Sequence, residues 1–226
     1  MKQTLRFLRD LQRNNNREWF SAHRDRYKYV AQFITDLTEE LIEKVATVDP
    51  RAALLSVKDC TYRLYRDTRF TPDKTPFKTH IGIFINPPGG KKAPTGGYYF
   101  HLEYEKCFIA AGNVCHPREV LTAIRKSIID NIDEYDEMMR DPEFRGVFPF
   151  VGERLLKRAP RGVDPEWPYV KYLLPKDYVA STMTVLNLET LLYDKTTFPR
   201  ILEHAHRYNR FLNYAVEEAL GLDTGH

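Results

Sequence analysis

The feature that most constrains what this chain can fold into is a change of hydrophobic period along its length. Trp19, Phe20, Tyr27, Val30, Ile34, Leu37, Leu41, Ile42 and Val45 recur at helical steps, the stripe of a long amphipathic helix that should end near Asp49 and Pro50. A shorter helix is expected before it, over residues 4–13. Asn14, Asn15 and Asn16 break that helix and restart the chain, with Asn15 and Glu18 spaced as an N-cap and its N3 acid.

The period then drops to two. Segments 60–65, 79–86, 98–105 and 107–114 are rich in β-branched and aromatic residues and alternate in polarity, which predicts an antiparallel set of strands joined by short or Gly-rich links. Between the second and third of these, residues 87–97 include seven Gly or Pro, a composition that favours a weakly ordered surface loop. The helical period returns after Pro117 with Val120, Leu121, Ile124, Ile128, Ile132, Tyr135 and Met138, and should stop before Pro142. The Pro- and Arg-rich stretch 149–175 fits neither period. A strand over 178–186 follows, then a last helix from about Thr197 that buries Ile201, Ala205, Tyr208, Leu212, Ala215 and Ala219. No repeat and no polar linker divides the 226 residues, so the expectation is one α+β domain, a mainly antiparallel sheet with N-terminal, central and C-terminal helices packed on it.

Charge excludes some functions. The excess of Lys and Arg over Asp and Glu is only +3, too small for a nucleic-acid coating protein or a polybasic membrane anchor. The first twenty residues are charged throughout and no apolar run is long enough to span a bilayer, so a cytoplasmic chain without a membrane segment is expected. Cys60, Cys107 and Cys115 are odd in number and form no C-x-x-C pair, which points to buried thiols.

The chemistry-bearing segment is Thr61 to Ile81. It holds Arg63, Arg66, Arg69, Lys74 and Lys78 against Asp67 and Asp73, a local excess equal to that of the whole chain. Guanidinium forks present two donors to phosphate or carboxylate oxygens, so a loop carrying several can hold an anion in a fixed orientation, with Arg66 and Arg69 as the clamp and Asp67 orienting an arginine. The alternative is a brace, in which the two aspartates neutralise the loop arginines and nothing is bound. His101 and Glu103 share a strand face with Tyr99 and could serve a ligand as general base and partner, or pair structurally with a neighbouring strand; His80 could join them. A second basic stretch, Arg154, Lys157, Arg158 and Arg161, faces one acid, Glu153; if it shared a cleft with the first, the combined field would draw in a phosphorylated or polyanionic ligand. Trp167, Tyr169 and Tyr172 could stack on a base or form core.

Sharper motifs fail. Gly89-Gly90-Lys91-Lys92 lacks phosphate-loop spacing, and His204 and His206 point about 200° apart on a helix, unlike a zinc-binding i, i+4 pair. No cofactor is indicated, and neither a reaction nor an oligomeric state follows from the residues. Nucleic acid is the weaker partner class, beside an anionic small molecule.

The run Arg63-Leu64-Tyr65-Arg66-Asp67-Thr68-Arg69-Phe70-Thr71-Pro72-Asp73-Lys74-Thr75-Pro76-Phe77 closely resembles the signature of domain of unknown function 2461. The resemblance takes in residues 14–20, 97–103 and 156–162, and so covers nearly the whole chain. It implies a single-domain protein of this length and no particular activity. Phe77 stands where the family pattern has Tyr, keeping the ring but not a phenol hydroxyl.

Overall fold

Helix α1 (Lys2–Arg13) buries Thr4, Phe7, Leu8 and Leu11, the i, i+3, i+4, i+7 positions of one face. In the computed structural model, which describes residues 1–87, 89–115, 117–185 and 187–222, the chain is α+β. Five strands, β1 (Ile81–Ile85), β2 (Gly97–Leu102), β3 (Phe108–Asn113), β4 (Phe150–Val151) and β5 (Tyr178–Ser181), form an antiparallel sheet in the order β1-β2-β3-β5-β4. In register, Ala111 faces Ala180 across β3 and β5, and Val151 faces Ala180 across β4 and β5. The chain clusters into two compact units, each drawn from three separate stretches.

The first unit comprises Met1–Lys91, Tyr99–Phe108 and Thr184–Asp194. Asn16, not Asn15, caps α2 (Arg17–Ala22), accepting from the Trp19 amide at 2.8 Å. The helical stripe does not run unbroken. At His23 the ring bonds the Trp19 carbonyl at 2.8 Å and stacks on the Trp19 indole at 4.2 Å, and α3 (Arg24–Ala46) starts afresh. The core here is Phe7, Leu8, Leu11, Phe20, Val30, Leu64 and Phe77. Asn15 is released from capping for a longer reach: its amide nitrogen donates to the Phe77 carbonyl at 2.9 Å, and its amide oxygen accepts from the Phe77 N–H at 3.1 Å. Phe77 is itself buried and stacks on Phe20 at 4.1 Å, a place where a phenol would need a buried partner.

The expected strand over 60–65 is replaced by two isolated bridges, Thr61 to Ile83 and Tyr65 to Phe77. Cys60 closes a short helix, α4 (Val57–Cys60), started by a capping box between Ser56 and Asp59. Beyond Tyr65 a ladder would need N–H groups that Pro72 and Pro76 lack. Residues 89–97 are also more ordered than their composition predicts, and Pro88 lies outside the described residues: the Gly90 amide donates to the Asn86 carbonyl at 2.7 Å, and the Lys91 ammonium donates to the carbonyls of Lys58 and Thr61. Gly90 sits at φ +68°, where its missing side chain admits the backbone of Asp59.

The second unit comprises Lys92–Tyr98, Ile109–Met183 and Lys195–His226. The central stripe is two helices, α5 (Arg118–Asp130) and α6 (Ile132–Arg140), parted at Asn131, whose φ of −124° and ψ of 44° leave the helical region. A short α7 (Pro142–Val147) follows, and α5 packs along α9 (Thr197–Leu220). In the 149–175 stretch a single 3-10 turn forms, Val170–Leu173, and the aromatics there meet one another, with Trp167 on Tyr169 at 5.5 Å. The strand expected over 178–186 is ordered as β5 only to Ser181, and Leu186 lies outside the described residues. Two asparagines of α9 hold glycine backbone: Asn209 accepts from the Gly112 amide at 2.8 Å, and Asn213 bonds both the amide and the carbonyl of Gly96.

Candidate functional site

The polypeptide from Thr61 to Gly82 leaves helix α4, runs out to a loop and returns into β1, so cations close in sequence can meet on one side of it. Three of the expected anion-binding cations are held by that loop itself. Arg66 pairs with Asp73 and also bonds the Thr75 hydroxyl. Arg69 makes a two-pronged contact with Asp67, at 3.0 Å from Nε and 2.7 Å from Nη2. Lys74 donates to the Thr68 carbonyl at 2.8 Å. These bonds hold both aspartates down: Asp67, beside Arg69, and Asp73, beside Arg66, each ionise at about 2.

Arg63 and Lys78 differ. Both line a cleft of about 390 Å³ within the first unit, together with His80, Gly82, Tyr62 and Tyr99, against a wall of α3 that includes Val30 and Ile34. Among the described residues neither is in ion-pair contact with a carboxylate, and Arg63 acts on Asp67 only as the last of the influences that hold that carboxyl down. The Lys78 ammonium stands 5.3 Å from the centre of the Tyr62 ring, and burial, then the neighbouring Arg63, lowers its proton affinity. Lys91 approaches the same ring at 5.6 Å.

On the strand side, His101 joins two neighbours. Its Nδ1 lies 3.0 Å from the Tyr99 hydroxyl and its Nε2 lies 3.3 Å from Glu103 Oε2. The ring is sandwiched between Phe108, at 4.5 Å, and His80, at 4.9 Å. Burial holds both imidazoles below their ordinary value, against the pull of the Glu103 carboxylate. Both His101 nitrogens are engaged, and the member of the chain that reaches the cleft is Tyr99, whose phenol burial pushes up to about 12. The Tyr99 ring lies over Gly82, where a Cβ would stand 2.7 Å from its hydroxyl oxygen.

The structure therefore gathers Arg63, Lys78, His80 and Tyr99 at one cleft, with His101 and Glu103 attached through Tyr99, and gathers Arg66, Asp67, Arg69 and Lys74 into the loop's own network. Arg158 is an exposed residue of the second unit, and its neighbour Arg154 pairs with Asp177 at 3.3 Å. Sequence reasoning missed the apolar α3 wall and the Tyr62 ring. The helical stripe carried a signal for the wall, since Tyr27, Val30 and Ile34 lie on one face, but nothing in it distinguishes a cleft wall from core. Among the described residues no cluster of His, Cys, Asp and Glu could hold a metal ion, and no helix is long and apolar enough to cross a membrane.

No curated protein and no solved structure matches the chain. The family model described as conserved hypothetical protein DUF2461 matches residues 3–214, and by that match the chain belongs to this family.

Proposed function

We propose that the first unit binds a small phosphate- or carboxylate-bearing ligand in the cleft beneath α3, with Arg63 and Lys78 as the charge-bearing contacts. The observation that carries this reading is that these two cations face a shared hollow and neither is in contact with a carboxylate there, whereas Arg66 and Arg69 are each paired directly with an aspartate. Like charges repel, and the exposed Arg63 lowers the proton affinity of the half-buried Lys78; an anion between them relieves that repulsion. His80 adds a polar ring at the same wall, and Val30 and Ile34 offer an apolar surface to the rest of the ligand.

A structural brace is the second reading, and the Arg66–Asp73 and Arg69–Asp67 pairs favour it for the loop alone. The two readings concern different residues and can be separated. Calorimetric titration with inorganic phosphate, propyl phosphate and butyrate tests the first. Arg63→Ala or Lys78→Ala should weaken the binding by about tenfold or more, the worth of one charge-assisted hydrogen bond. Arg66→Ala should lower the melting temperature and leave affinity nearly unchanged. Equal affinity in wild type and Arg63→Ala, Lys78→Ala protein would remove the proposal.

A further inference from the structure

We infer that Tyr99 presents a hydrogen-bond-accepting oxygen to the cleft, so that the ligand is an anion that also carries a hydroxyl or N–H donor. The inference deepens the anion-binding reading and rests on it.

The chain of hydrogen bonds runs from Glu103 outward. An ionised carboxylate has only acceptor sites, so the 3.3 Å contact between Glu103 Oε2 and His101 Nε2 places a proton on that nitrogen. Burial keeps His101 neutral, and a neutral imidazole carries one proton, so Nδ1 is left as an acceptor. At 3.0 Å from Nδ1, the Tyr99 hydroxyl must then be the donor. A phenol has a single proton. With it committed to His101, the oxygen has only lone pairs to offer the cleft that Tyr99 lines. Gly82 fixes where those lone pairs lie, because any Cβ there would collide with the ring at 2.7 Å.

The cleft thus combines two cationic donors with one acceptor held in place by a chain of hydrogen bonds. A bare anion satisfies the cations and leaves the tyrosine oxygen without a donor. A hydroxylated anion satisfies both, and a site built around a hydroxyl discriminates against the analogue lacking it.

The test compares anions of equal charge. Glycerol 1-phosphate is set against propyl phosphate, and 3-hydroxybutyrate against butyrate, by calorimetry on wild type, Tyr99→Phe and Glu103→Gln. Wild type should prefer the hydroxylated member of at least one pair by about threefold to tenfold, the range of a single neutral hydrogen bond; which pair shows it identifies the phosphate or the carboxylate as the anion. Tyr99→Phe should abolish the preference while retaining affinity for the plain anion. Glu103→Gln, whose amide can donate to His101 and release the tautomer, should reduce it. Long-range proton–nitrogen spectra of wild type should show the His101 proton on Nε2, a readout that holds even if a variant folds poorly. A wild type that binds propyl phosphate or butyrate without preferring the hydroxylated partner, or a proton found on Nδ1, overturns this inference and leaves the anion site standing. Failure of all four anions to bind overturns both.

Discussion

The imidazole of His80 stacks on that of His101 with ring centres 4.9 Å apart and planes inclined by 23°, and both rings are kept below the ordinary imidazole proton affinity, first of all by burial. Glu103 pulls toward the charged form of each. Lys78 and Arg66 oppose it at His80, and His80 and Lys106 oppose it at His101.

This arrangement sets a pH dependence of stability. The folded rings bind protons less readily than the unfolded ones, so the unfolded state takes up protons first as pH falls through the ordinary value of 6.5, and stability falls with it. The loss should stop growing once the folded rings are protonated as well. Urea midpoints measured from about pH 8 down to about pH 5 should decline through this window. A His80→Gln, His101→Gln protein should show a flatter curve, and a decline of equal slope in both would contradict the assignment.

The loop aspartates work in the opposite range. Because Arg69 and Arg66 depress the folded Asp67 and Asp73 from 3.8 to about 2, their contribution is present above 3.8 and is lost as pH falls toward 2. Carboxyl titrations by NMR should place both midpoints near 2, with Asp67 returning toward 3.8 in Arg69→Ala and Asp73 in Arg66→Ala. The pairs are exposed, so molar salt should move both midpoints upward in wild type.

Asn15 makes both of its hydrogen bonds to the backbone of Phe77, sixty-two residues away in sequence. Asn15→Ala leaves a partly buried N–H and C=O unpaired and should cost about 1 to 3 kcal/mol. Asn15→Asp retains the acceptor and loses the donor, and should fall between. Denaturant unfolding ranks the three proteins, and an Ala variant as stable as wild type would show that water replaces the clip.

Two glycines should answer in opposite ways. Gly112 lies at φ +111°, where a Cβ would stand 2.0 Å from the Tyr178 carbonyl oxygen, so Gly112→Ala should cost about 4 kcal/mol or more, or prevent folding. Gly146, inside α7, has nothing within 4 Å of an added Cβ, and Gly146→Ala should stabilise by about 0.5 to 1 kcal/mol. Melting temperatures of the two variants decide it.

Much of the fold was legible because the two hydrophobic periods are distinct: the stripes of α1, α3, α5 and α9 and the alternation of β1, β2 and β3 mark elements to within a few residues. The misses share a cause. Asn15 and Asn16 are equally good caps locally, and only the distant backbone of Phe77 decides that Asn15 is needed elsewhere. The breaks at His23 and Asn131 leave the apolar stripe intact, so periodicity does not register them. Residues 60–65 have strand-like composition, yet they meet the opposite chain only at the isolated bridges of Thr61 and Tyr65, a difference that local composition does not register. At the candidate site the residue types were readable and their pairing was not, since whether Asp67 turns to Arg63 or Arg69 is settled by rotamers and loop geometry. Within His101, Glu103 and Tyr99 the shared strand face was readable, while the direction of the proton chain needed the distances.

The central claim is that Arg63 and Lys78, which no carboxylate contacts, form the anion site in place of the loop arginines, and the most direct test is to follow the protein's backbone and imidazole NMR signals during titration with inorganic phosphate. Saturable shifts centred on Arg63, Lys78, His80 and Gly82, absent in the Arg63→Ala, Lys78→Ala protein, are the predicted result. Shifts centred on residues 66–74, or none at all, would contradict it.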